Sequence, residues 1–117
     1  MSDNLARDYA ERMAADIRAD VDAGTPYGIP GDDADETEPL SAYDWLSDVL
    51  DIKYRIGSDG SYRSALVMVS CGGPNAYIDT SSNDVVVYWG SDNAHWGVPA
   101  SFCAGLDEAI EEMRDYR

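Results

Sequence analysis

From Asp51 the period changes to two, with short runs separated by turn residues, whereas the flanking segments repeat their apolar residues every three or four positions. A period of two sends successive side chains to opposite faces of a strand, and a period near 3.6 lines them along one side of a helix. The chain is thereby restricted to a sheet flanked by helices. Ile52, Tyr54 and Ile56 alternate with Lys53 and Arg55, and Gly57-Ser58-Asp59-Gly60 is a turn signal leading into a second strand, Tyr62 to Cys71. There Ala65, Val67 and Val69 share one face, with Leu66 and Met68 on the other. Gly72-Gly73-Pro74 interrupts pairing, because Pro offers no backbone donor. Asn75 to Asp79 and Asp84 to Trp89 supply the third and fourth strands, joined by a turn over 80–83. Ser91 to Val98, with His95 and Trp96 in its middle, reads as a connection. The expectation is a four-stranded antiparallel meander.

Before the sheet, residues 3–23 carry Leu5, Tyr9, Met13, Ile17 and Val21 at four-residue spacing, with Ala6, Ala10 and Ala14 beside them. This predicts an N-terminal helix, capped by Ser2 or Asp3. Residues 24–39 combine Gly, three prolines and the acids Asp32, Asp33, Asp35, Glu36 and Glu38, and so form an acidic loop. Ser41 is placed to cap a short helix, Ala42 to Leu50, with Trp45, Leu46, Val49 and Leu50 inward. Pro99 suits the first turn of a last helix running to about Tyr116. Phe102, Leu106, Ala109, Ile110 and Met113 form its apolar side, whereas Asp107, Glu108, Glu111, Glu112 and Asp115 cover the rest. The fold class is α+β: a four-stranded meander packed against an N-terminal helix, a short second helix and a C-terminal helix. At 117 residues the chain forms a single acidic domain, 1–117.

With 23 Asp plus Glu against 8 Lys plus Arg, the chain carries a formal charge of −15. Duplex nucleic acids are held largely by Lys and Arg on phosphates, so direct nucleic-acid binding is excluded, as is attraction to an anionic membrane. No apolar run approaches the ~20 residues of a membrane span, and the first residues lack the basic-then-apolar layout of a secretory signal. A cytoplasmic location is expected, in the host cell if the protein is phage-encoded. Eleven of the twelve aromatics are Tyr or Trp, too many for a disordered acidic tail.

No catalytic, metal or cofactor site is expected. Cys71 and Cys103 with His95 as the only histidine provide neither a disulfide framework nor a zinc set. Either thiol with His95 could be drawn as a protease pair, but no nucleophile motif frames them. Asp32-Asp33-Ala34-Asp35-Glu36 lacks the alternating acids and the sixth-position glycine of a helix-loop-helix calcium loop. Trp45 and Trp89 suit core packing, Trp96 suits core or surface equally, and Asn75 with Tyr77 offers a recognition loop.

The charge itself carries the functional reading. Residues 1–50 hold 13 acids and 3 bases, and residues 51–117 hold 10 and 5, so two thirds of the net charge lies in the first half. Such asymmetry suits a directed acidic surface, in which carboxylates stacked about 6 Å apart on a helix stand in for phosphates. In size, acidity and Tyr and Trp content, and in the block Gly72-Gly73-Pro74-Asn75-Ala76-Tyr77-Ile78-Asp79 followed by Tyr88-Trp89-Gly90-Ser91, the sequence resembles small acidic phage and mobile-element proteins that block host defence, the DNA-mimicking anti-CRISPR and anti-restriction proteins. The resemblance covers about a third of the chain and implies a strategy rather than a role for any residue. The expected function is inhibition of a CRISPR interference complex by occupation of its basic DNA-binding groove. The residues expected to bind are Asp8, Asp16, Asp20, Asp22, Asp32, Asp33, Asp35, Glu36 and Glu38, with Glu111 and Glu112 as a second patch. Two alternatives are a mimic directed at another nucleic-acid-binding protein such as a restriction enzyme, and an acidic structural or housekeeping protein of a salt-adapted or high-GC organism.

Overall fold

The computed structural model describes residues 5–28, 41–72 and 74–115. Its elements run α1 (Leu5–Asp22), α2 (Ala42–Leu46), β1 (Asp51–Ile56), β2 (Tyr62–Ser70), β3 (Asn75–Asp79), β4 (Asp84–Trp89), β5 (Asp92–Gly97) and α3 (Ala100–Asp115). The five strands form one antiparallel sheet in sequence order. The α+β class holds, but the meander has five strands rather than four. The additional strand is β5, in the segment read as a connection. Trp89 pairs with Asp92, so the β4–β5 loop is the two residues Gly90-Ser91, with Gly90 at φ +64. Glycine at the first central position is the mark of a tight hairpin turn.

Register sorts the strand residues between two faces. Ile52, Val67, Ile78, Val85 and Trp96 lie opposite one another in successive strands, as do Ala76, Val87 and Ala94. This face packs against the helices: α1 on β4 and β5, α3 on β2, and α2 on α3. The other face carries Lys53, Leu66, Met68, Tyr77, Val86, Tyr88 and His95. Val86 is buried there without belonging to the core cluster.

The core of α1 is its alanine column. Ala6, Ala10, Ala14 and Ile17 are buried, whereas Tyr9, Met13 and Val21 are half-buried and Leu5 is exposed. The buried set therefore lies to one side of the expected stripe, with Ile17 common to both and Tyr9, Met13 and Val21 packed against the core from its margin. Alanine brings the helix close to strands that already present Val85, Val87, Trp89 and Trp96, where larger side chains would overfill the layer. All three Trp are half-buried and pack against the core.

α2 ends at Leu46, four residues short of expectation, and Leu50 is exposed rather than inward. Its start matches: Ser41 Oγ accepts from the Asp44 N–H, and the Asp44 carboxylate accepts from the Ser41 N–H, a reciprocal cap. At the other end the Ser47 hydroxyl donates to the Asp44 carbonyl at 2.6 Å. Such local bonding competes with helix continuation, and the chain turns into β1.

Candidate partner-binding surface

Five acids and three arginines lie within α1, so its own sequence is only mildly acidic. The fold changes what it displays. Arg18 Nη2 donates to the Gly97 carbonyl at 3.0 Å, and the Arg7 guanidinium stands 5.7 Å from the Trp96 ring centroid, in the range of cation–π attraction. Both bases are thus turned onto β5. Asp8, Glu11 and Asp22 are exposed on the side away from the alanine column, and Asp16 is exposed on a flank where Asp20 is half-buried. Arg12 interrupts that flank and lines a shallow cleft with Tyr9, Met13 and Asp16.

Glu111 and Glu112 are both exposed on α3, and Glu112 accepts a hydrogen bond from the Tyr43 hydroxyl of α2. The structure therefore places the helix acids in two groups, one on α1 over β4 and β5 and one on α3 beside α2 and β2. The five loop acids Asp32, Asp33, Asp35, Glu36 and Glu38 lie outside the described residues. Acids are also present on α2, β1 and the turns, with Asp44, Asp48, Asp51, Asp59 and Asp92 all exposed.

A polar cluster that sequence reasoning missed sits on the helix-free face. Arg55 Nη1 and Nη2 donate to the two Asp79 carboxylate oxygens at 2.7 and 3.1 Å, and Arg55 Nη1 also reaches Ser64 and Ser81. Two bonds from the Arg55 fork, with further bonds from Ser81, hold the Asp79 carboxyl down at about 2 despite opposing desolvation. The i to j register that joins β1 to β2 and β2 to β3 is the signal for this pair, and it is visible only once strand order is known. Beside it, His95 Nδ1 lies 3.3 Å from Asp84 Oδ2, and Tyr77 and Tyr88 meet edge to face at 6.0 Å. Asn75 Oδ1 instead accepts from the Gly72 N–H, which anchors the turn.

The nucleophile readings find no geometry. Cys103 is buried in α3, where burial first and nearby carboxylates second push its thiol up to about 12. Such a thiol stays protonated and unreactive. Cys71 is exposed beyond the end of β2, three strands from His95 on β5. Tyr62, whose hydroxyl donates to Asp107 at 2.6 Å, has its pKa raised by burial and by that carboxylate. Among the described residues no three His, Cys, Asp or Glu gather as a metal site.

Comparison with known proteins adds no relative. The chain matches no family model, no curated protein and no solved structure. No helix among the described residues is long and apolar enough to cross a membrane.

Proposed function

We propose that the protein is a non-enzymatic, DNA-mimicking inhibitor that occupies a basic DNA-binding groove, with a CRISPR interference complex as the first target and the cytoplasm as the site of action. The observation that supports this reading is the treatment of α1's charges: Arg7 and Arg18, though exposed, are engaged by Trp96 and the Gly97 carbonyl of β5, while Asp8, Glu11, Asp16 and Asp22 are exposed with no hydrogen-bond or ion-pair partner among the described residues. The exposed carboxylates Asp8, Glu11, Asp16 and Asp22 follow one another at intervals of three, five and six residues, a row of negative charge along the helix. Such a surface attracts a basic groove at long range and displaces its counterions.

The test is a binding assay of an interference complex with labelled target duplex, titrated with this protein. Loss of duplex binding, relieved by excess duplex and by about 0.5 M salt, is the expected result. Joint Asp8→Arg, Asp16→Arg and Asp22→Arg substitution is expected to abolish the competition. Competition that ignores both salt and charge reversal would overturn the reading. Inhibition confined to a restriction enzyme would keep the mimicry and change its target.

The spread of exposed acids over α2, β1 and the turns favours a second reading, an acidic housekeeping protein of a salt-adapted organism. Thermal stability that climbs without levelling to molar salt would support that reading over mimicry.

A further inference from the structure

β1 is an edge strand, and three of the six large apolar side chains exposed among the described residues lie on it or just before it. These are Leu50 at 58%, Tyr54 at 38% and Ile56 at 44%. Leu50, Ile52 and Tyr54 line one groove of about 370 Å³ with Leu46, Val49 and part of Asp51. Asp51 and Lys53 alternate with them on the opposite face, and among the described residues neither has a hydrogen-bonded side chain or an ion pair. Arg55, by contrast, is held by Asp79, Ser64 and Ser81. Among the described residues β1 pairs only with β2, and although the Leu50 N–H just before it is taken by the Met68 carbonyl, the outer row of donors and acceptors along β1 itself is a template for another strand.

We propose that a second copy of this chain pairs with β1, antiparallel, about a two-fold axis normal to the sheet that passes midway between the two copies of Ile52. Residues directly opposite in an antiparallel pair share a face. In this register Ile52 meets its own counterpart, Leu50 meets Tyr54 of the second copy, and Asp51 meets Lys53 of the second copy, the last two contacts each occurring twice. Apolar side chains cover apolar side chains on the helix side, and opposite charges meet on the other. Moving the axis to either neighbour sets Asp51 against Asp51 or Lys53 against Lys53. The strand is thus complementary to itself in one register, and like charges penalise both neighbouring ones.

Charge distribution selects the same edge. Two chains of −15 repel, but β1 carries Lys53 and Arg55, while α1 lies over β4 and β5. Three strand spacings, about 14 Å, exceed the screening length of about 8 Å at physiological salt. The α3 acids and the exposed Asp44, Asp48 and Asp59 beside β1 remain repulsive contributions, so dimerisation strengthens as salt is added. Binding to a basic groove has the opposite salt dependence, and the dimer stands or falls independently of the inhibitor reading.

The experiment is sedimentation equilibrium of the full chain over a concentration series, at about 0.15 M and about 1 M salt. A species of twice the 12.8 kDa chain mass, favoured by the higher salt, is expected. Asp51→Lys alone and Lys53→Asp alone are each expected to weaken it about tenfold or more, and the double swap to restore it. Both positions are exposed, and circular dichroism establishes that each variant is folded. In a Cys71→Ser background, Ile52→Cys is expected to give a disulfide-linked dimer on mild oxidation, since opposed Cα atoms about 5 Å apart suit that bond. A monomer at every concentration and salt, or a folded double swap no tighter than the single variants, would overturn the proposal.

Discussion

Asp79 accepts both arms of the Arg55 fork as well as the Ser81 N–H and hydroxyl, which holds its carboxyl at about 2 against an ordinary 3.8. A folded-state value below the unfolded one stabilises the fold above about pH 4 and loses that contribution as pH falls toward 2. Because Arg55 is 44% exposed, solvent screens the pair, and Asp79→Asn is expected to cost only about 1 kcal/mol near neutral pH. Urea titrations across the acid range check this: the variant's stability should fall less steeply between about pH 4 and 2. The thiols give a second residue-level prediction. Cys71 is exposed, while burial pushes Cys103 up to about 12. One thiol is expected to react with an aromatic disulfide reagent in the folded protein and the second only on unfolding, with Cys71→Ser removing the fast phase. The Arg55–Asp79 pair is not legible in the sequence, since its members lie on different strands, whereas two partly buried thiols are the sequence expectation, which holds for Cys103 on the apolar stripe of α3 and not for the exposed Cys71.

At the scale of the element, local signals were legible where one residue type alone could satisfy the geometry. Ser41 with Asp44 marks the start of α2, and the alternation of Ile52, Tyr54, Val67 and Ile78 marks three strands. β5 carries the same signals, with Asn93, His95 and Gly97 alternating with Ala94, Trp96 and Val98 after the Gly90-Ser91 hairpin turn, but Trp96 is its single large apolar residue and the pattern is short. Gly90 adopts φ +64, where a side chain is strained. Gly90→Ala is expected to destabilise the protein by about 1–2 kcal/mol, and Ser91→Ala by less than about 0.5 kcal/mol, in urea titrations. The hairpin also seats α1, because Arg7 and Arg18 both reach β5. Arg18→Ala, which removes the bond to the Gly97 carbonyl, is expected to cost about 1 kcal/mol and to raise amide exchange along α1.

Across the whole molecule the charge of −15 acts as one field opposing compaction. Lowering the salt from about 0.5 M to about 0.01 M is expected to lower the melting temperature, with most of the change below about 0.15 M, where screening already reaches about 8 Å. Calorimetry over that series checks it. The sheet has two dissimilar faces, one packed under the helices and one open with Tyr77, Tyr88 and the Arg55–Asp79 pair. Of the expected binding acids, α1 and α3 place theirs on separate parts of the helix layer, so no single described patch unites them.

By itself the sequence determined most of the helix and strand periods, the turn glycines, the cap of α2 and the sign of the field, because each depends on local residues or on composition; the expected α1 cap at Ser2 or Asp3 lies outside the described residues. Only the tertiary structure decided which arginines are tethered to β5, which apolar face of α1 is buried, and which strands end the described sheet. Those outcomes depend on register across strands and on the close approach allowed by the α1 alanines, and contacts between residues distant in the chain have no period to read.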